Sequence, residues 1–214
     1  MSKVKLISTS SPDIIADIAY MARVSNPSNQ QNTETSQKLV QYLVKHKHWS
    51  PFEMVSITME INTTRDIAKQ ILRHRSFSFQ EFSQRYADVK DLGVFEFREC
   101  RLQDETNRQN SVRAPDGDIH YQWLQQQRRV GDAAIAAYRW ALDNGIAKEQ
   151  ARAVLPEGLT PTRLYMHGTV RSWIHYIDVR TTPGTQKEHM DIANECKQVF
   201  IKQFPTVSEA LEWI

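Results

Sequence analysis

Twice in this chain a short alternating run passes straight into a helix-period segment that ends in arginine. The first is SITMEINTTRDIAKQILRHR, beginning at Ser56. The second is RLYMHGTVRSWIHYIDVR, beginning at Arg163. Alternation at period two marks a half-buried strand, and the apolar spacing that follows marks a helix with one buried side. In the first unit Ile67, Ala68, Ile71 and Leu72 make that side. Arg73 to Arg75 therefore fall at a helix C-terminus, where the helix dipole favours cations. Few strands, many helices and no regular strand–helix–strand repeat place the chain in the α+β class. The likeness between the two units is weak enough that chance can also produce it.

The remaining segments fill in that plan. VKLIST and GVFEFRECRLQ read as strands, and DETNRQNSVRAPDGD as a loop. A helix is expected from about Pro12 to Ser25, with Ser10 and Asp13 at capping-box spacing. SQKLVQYLVKH is helical, and Thr63 with Asp66 makes a second capping box. A long helix spans about Asp118 to Asn144 and closes at Gly145; KEQARAVL is a short one ended by Pro156. Thr185 and Glu188 open a last long helix with Met190, Ala193, Cys196 and Phe200 on its face, and SEALEWI makes a terminal turn. No shift in composition divides the chain, so residues 1–214 are expected to form a single domain.

Charge and cysteine content narrow the function. With 27 basic and 25 acidic residues the formal net charge is +2, a poor match for a bulk nucleic-acid binder. The two cysteines, Cys100 and Cys196, lie far apart, which fits a reducing cytoplasm and supplies no zinc framework. His46 and His48 are two apart and point to different sides of a helix, so no shared metal is expected. The start, MSKVKLISTS, has no long apolar region, and no run has the length of a membrane span, so a cytoplasmic protein without a membrane partner is expected. No GxGxxG, P-loop or GxSxG motif occurs.

RHRSFSFQEFSQRY, Arg73 to Tyr86, concentrates the chemistry. Arg73, Arg75 and Arg85 offer forked donors suited to phosphate oxygens. Ser76, Ser78 and Ser83 add hydroxyls, Gln80 and Glu81 can read the polar edge of a ring, and Phe77, Phe79 and Phe82 can pack inward. That is the inventory of a nucleotide pocket. It is equally the inventory of a helix-end charge cluster with a hydrophobic anchor, and spacing alone leaves both open. Two distant segments add further cations. Arg152 lies among the apolar residues of ARAVLP, either snorkelling or paired with a buried anion. TVRSWIHYIDVR carries Arg171 and His175 on one helical face and Arg180 near the helix end.

These residues together resemble the flavin-dependent thymidylate synthases, whose signature is RHR-x2-S-x-N-x2-S-x-R. Arg73, His74, Arg75, Ser78, Ser83 and Arg85 match it, with Gln80 in place of the motif Asn. HWSPFE, the QIL before RHR, ARAVLP and TVRSWIHYIDVR follow in family order, so the resemblance runs from about His48 to Glu188. It implies an α+β fold with a small mixed or antiparallel sheet surrounded by helices. It also implies transfer of a methylene group from 5,10-methylenetetrahydrofolate to C5 of dUMP, with FAD delivering a hydride that NADPH renews. A homotetramer with shared active sites is implied, and no cysteine nucleophile. By the resemblance Gln70, Arg73, Glu81, Phe82, Ser83, Gln84, Arg85, Arg152 and Arg180 are dUMP positions. Ser83, Gln84 and Arg85 clamp the phosphate, and Arg152 comes from a neighbouring subunit. Arg180 is the catalytic position, facing the uracil and favouring loss of its N3 proton. His48, Ser50, Arg73, His74, Arg75, Glu81, Thr169, Arg171 and His175 are FAD positions, although some relatives carry Asn where Thr169 and His175 stand. The competing expectation is a non-catalytic nucleotide- or RNA-binding module that uses the Arg/Phe segment for phosphate contact and stacking.

Overall fold

The two strand–helix units lie side by side. In a computed structural model, which describes residues 3–93 and 95–214, strand β2 (Ser56–Thr64) pairs antiparallel with strand β6 (Pro161–Thr169). The register runs from Ser56 opposite Thr169 to Thr64 opposite Pro161. Strand β1 (Val4–Thr9) flanks β2 and strand β3 (Phe77–Glu81) flanks β6, giving an antiparallel sheet of order β1-β2-β6-β3. β1 carries a register shift between Leu6 and Ser8. Strands β4 (Arg101–Gln103) and β5 (Ser111–Arg113) form a separate two-stranded ribbon.

Period-two patterning decides which sheet face is covered. Ile57, Met59 and Ile61 on β2 and Leu164 and Met166 on β6 are fully buried, while Glu60, Arg163, Tyr165 and His167 point the other way. Helices α3 (Arg65–Ile71) and α6 (Val170–Arg180) follow β2 and β6 without a loop and pack on the sheet. The indole N–H of Trp173 donates to the Ile57 carbonyl at 3.2 Å. Because the parent strands are antiparallel, the helices start at opposite ends of the sheet, and their C-terminal ends meet over it. Helix α7 (Lys187–Gln203) packs against β1, β2, α3 and α6. Helices α1 (Ile14–Ala22), α2 (Ser36–Lys45) and α8 (Pro205–Ala210) complete that layer. Helix α4 (Asp118–Asp143) and the short α5 (Lys148–Ala151) enclose a second, smaller cluster of Tyr138, Ala141, Ala151 and Leu155.

Several boundaries differ from the sequence reading, each for a local reason. The α1 cap is Asp13, whose carboxylate accepts from Ala16 N–H at 3.0 Å, because the Ser10 hydroxyl is occupied by the Ser56 N–H. β2 continues through Thr63, so Thr64 is the residue before α3, and its hydroxyl binds Asp66 at 2.5 Å. Gln186, not Thr185, precedes α7. Of GVFEFRECRLQ, Val94 lies outside the described residues and only Arg101–Gln103 is strand; its partner β5 lies inside the segment read as loop. The C-terminal turn is preceded by a helix from Pro205, with proline in its first turn.

The phenylalanines of RHRSFSFQEFSQRY also find their place. Phe77 pairs with Gly168 of β6 and lays its ring where a Cβ on that glycine would stand, 2.4 Å from the Phe77 ring. Trp173 and Tyr176 meet the same ring edge-on at centroid distances of 5.0 and 6.0 Å. The ring cannot retreat, so Gly168→Ala should cost about 1–3 kcal/mol, the scale of an overpacked core. For a chain of this size that lowers the melting temperature by several degrees in a thermal melt. An unchanged melting temperature would show that Phe77 is not fixed there.

Candidate active site

Where α3 and α6 end, Arg73, His74 and Arg180 come together. The Arg180 Nε donates to His74 Nε2 at 2.9 Å. His74 also lies edge-on to Tyr176 at 4.9 Å and to Phe77 at 6.5 Å. Burial, then the positive charge of Arg180, then His175, lower the His74 pKa to about 4, so its imidazole is neutral at pH 7. Arg180 is half-buried, and among the described residues no carboxylate pairs with it. A half-buried guanidinium held by a neutral ring has no counter-ion of its own among the described residues.

This guanidinium lines a cleft of about 390 Å³ with Asp66, Lys69, Gln70, Arg73 and Glu157. The carboxylates there are already engaged. Arg98 holds Asp66 at 2.8 Å, and Lys69 holds Glu157 at 2.9 Å. Burial opposes the Glu157 charge, yet Lys69 and Arg65 keep its carboxyl below the usual range. Arg73 and Arg180 are thus the cations left for a ligand. Gln70 donates to Gln186 at 2.7 Å and meets His189 Nδ1 at 3.3 Å.

The other expected nucleotide residues lie outside this cleft. Glu81 accepts from the Thr162 hydroxyl at 2.9 Å and faces Arg65 at 3.6 Å. Phe82 is partly buried, and its N–H donates to the Arg163 carbonyl. The Ser83 hydroxyl accepts from Arg85 N–H at 3.4 Å. The Arg85 guanidinium sits 3.5 Å from Glu149, and Arg152 follows directly on the helix that carries Glu149. Gln84 is 3% exposed, and its amide nitrogen is buried without a hydrogen-bond partner.

A second cleft, of about 500 Å³, opens on the α6 flank and includes Lys47, Trp49, Arg171 and His175. Glu53 organises its rim. It accepts from the Thr169 hydroxyl at 2.9 Å and from Arg171 at 2.6 Å. Thr169 also caps α6 by accepting from Ser172 N–H at 3.1 Å. Of the expected flavin positions the structure brings Thr169, Arg171 and His175 to this rim. His48 and Ser50 are exposed beside Trp49, and Arg75 is exposed at the turn after α3. The Trp49 indole, Lys47 and His175 share this open groove with Arg171, which Glu53 holds, and with the carboxylate of Asp178. Sequence reasoning missed Glu53 and His189. Glu53 was present in HWSPFE as a matched letter without a role, and a single histidine on an apolar helix face gave no signal. Among the described residues no group of three or more His, Cys, Asp or Glu side chains could hold a metal ion, and no helix is long and apolar enough to cross a membrane.

The fold thus sets a cleft holding Arg73 and Arg180 where two helix ends meet, with a second groove beside it. Residues 5–206 match the Thy1 family model, thymidylate synthase complementing protein, and the chain belongs to that family. It is 50% identical over 219 residues to a protein of Synechocystis named flavin-dependent thymidylate synthase, covering 98% of this chain and 99% of that one. A protein of Paramecium bursaria Chlorella virus 1, named "Probable flavin-dependent thymidylate synthase", is 51% identical over 197 residues, 92% of this chain and 90% of the other. A crystal structure of the UMP/dUMP methylase PolB of Streptomyces cacaoi, bound with 5-Br dUMP, superposes with a TM-score of 0.84 at 28% identity. It covers 99% of this chain and 94% of that one.

The neutral histidines make stability pH-dependent. Burial lowers His189 to about 4 as well, with Arg180 and His74 adding to it. The unfolded chain takes up protons on both rings near the ordinary value of 6.5, the folded chain only near 4. Stability from these groups is therefore complete above about pH 6.5 and lost as pH falls toward 4. Urea midpoints should fall across that window, and His74→Asn should flatten the fall. An equal slope in the variant would contradict a neutral, buried His74.

Proposed function

We propose that this chain is a thymidylate synthase of the flavin-dependent kind, converting dUMP to dTMP with 5,10-methylenetetrahydrofolate as the one-carbon donor and NADPH as reductant. The observation that carries this reading is the half-buried Arg180, bound to neutral His74 and lacking a carboxylate, in a cleft shared with Gln70 and Arg73. A nucleophilic C5 requires electron density in the pyrimidine ring, and loss of the N3 proton supplies it. Arg180 stabilises the resulting charge, because a preorganised cation in a water-poor site costs no reorganisation when charge develops. His74 fixes the guanidinium without neutralising it. Gln70 and Arg73 orient the nucleotide; Glu81 at the end of β3 and Phe82 after it are the further dUMP positions of the family pattern and stand outside this cleft.

FAD, when bound, supplies the hydride that completes the methyl group. The residues that would hold it are Arg171, His175 and Thr169 at the second groove, His48 and Ser50 beside it, Arg73, His74 and Arg75 near the meeting of the helices, and Glu81 at the end of β3 by Thr162 and Arg65. Glu53 aims the Arg171 guanidinium and the Thr169 hydroxyl.

The phosphate clamp is Ser83, Arg85 and the backbone at Gln84, completed by Arg152 of a neighbouring subunit. What supports a shared site is that these residues do not line the cleft of Arg180. On this reading the protein is a homotetramer of single-domain subunits in the cytoplasm. Exposed Tyr121 and Trp140 on α4 give it apolar surface to bury.

Two tests follow. Conversion of dUMP to dTMP should require methylenetetrahydrofolate, FAD and NADPH, each omitted in turn; a colourless protein that cannot take up FAD would refute the assignment. Arg85→Ala should remove a charge-assisted contact of about 1.5–3 kcal/mol, roughly 10- to 150-fold in dUMP affinity, and leave the flavin spectrum intact. Unchanged affinity would remove Arg85 from the clamp.

A further inference from the structure

His189 is a buried histidine that the reaction does not require. It is fully buried on α7, between the Tyr176 hydroxyl at 3.2 Å from Nε2 and the Gln70 carbonyl oxygen at 3.3 Å from Nδ1. Gln70 reaches on to Gln186 at 2.7 Å, and Gln186 to Glu188 at 3.0 Å. Arg101 holds Glu188 at 2.6 Å, and Arg98 lies 3.5 Å away.

The direction of every hydrogen bond in this chain follows from its charged end. Burial opposes the Glu188 charge, yet its own backbone N–H, Gln186 and Arg101 keep the carboxyl below the usual range. An ionised carboxylate only accepts, so Gln186 must donate to it with its amide nitrogen. The Gln186 oxygen then faces Gln70, which must in turn donate. The Gln70 oxygen is left facing His189, so Nδ1 carries the ring proton and Nε2 accepts from Tyr176. Burial keeps the ring neutral at pH 7, so it has one N–H to give, and Gln70 receives it.

We propose that His189 is a positioning residue: by donating from Nδ1 to the Gln70 oxygen it withholds that oxygen from the nucleotide cleft, leaves the second Gln70 N–H to face the ligand, and so selects a keto over an amino pyrimidine. This rests on the reading that Gln70 lines the nucleotide site. A pyrimidine with a ring carbonyl at that edge accepts the N–H, whereas an exocyclic amine meets it donor against donor. Discrimination of this kind is large because the mismatch leaves two buried donors unpaired.

Asparagine and glutamine separate the two ring nitrogens. Asparagine at 189 reproduces the Nδ1 position and keeps a donor for Gln70. Glutamine reproduces Nε2, keeps the Tyr176 contact and withdraws that donor. The FAD-loaded variants are titrated calorimetrically with dUMP and with 2′-deoxycytidine monophosphate, and the dissociation constant of the cytidine nucleotide divided by that of dUMP is read. Both ligands meet the same preparation, so a lower folded fraction leaves the ratio unchanged. His189→Asn should keep the wild-type ratio, and His189→Gln should lower it about 10-fold or more, the scale of one hydrogen bond. Equal ratios in the two variants would overturn the proposal. Gln70→Ala identifies the cause: if it lowers the ratio while His189→Gln does not, the nucleotide site stands and the role of His189 falls. If Gln70→Ala changes neither constant, both fall.

Discussion

Arg180 binding His74 is the contact on which the rest of the site depends. It exists because two antiparallel strands each run directly into a helix, so that two helix C-termini converge over one sheet. Converging C-termini present unpaired carbonyls and favour cations, and three arginines are supplied there. A carboxylate at His74 would satisfy Arg180 and shut the cleft electrically. A neutral imidazole, kept neutral by its aromatic surroundings, holds the guanidinium in place and leaves its charge free.

The same economy governs the neighbouring charges. Asp66 and Glu157 could each have neutralised the cleft. Arg98 and Lys69 hold them instead, at 2.8 and 2.9 Å, and Arg101 holds Glu188 behind Gln186 at 2.6 Å. Glu53 orders the second groove by holding Thr169 and Arg171 together, so the cap of α6 and the rim of the groove are one structure. The two grooves thus share α6 as a wall, and Phe77 against Gly168 fixes the turn between them.

The sequence made the β2–α3 and β6–α6 units legible because their periodicity is strong and uninterrupted. The ribbon of β4 and β5 was not legible, since three-residue strands leave too little alternation to separate from loop. The capping boxes misled by one to three residues, because Ser10 serves β2 and strand pairing extends through Thr63. In the site, Arg73, His74 and Arg180 were placed at helix ends by periodicity, while their roles were named from the family pattern; the fold explains why those ends meet. Ser83, Gln84, Arg85 and Arg152 were named from the family pattern, and a single chain does not gather them around Arg180. His189 and Glu53 were invisible as roles, because each acts through a hydrogen bond to a residue over a hundred positions away.

The central claim is that Arg180 is an uncompensated cation facing the pyrimidine. Nitrogen-15 NMR of dUMP labelled at N3, bound to the FAD-loaded protein and titrated with pH, reads that charge at the ring. The account predicts that the bound N3 loses its proton at lower pH than the free nucleotide, and that Arg180→Ala returns it toward the free value while dUMP still binds. An N3 titration that is the same bound and free, or the same with and without Arg180, would contradict it.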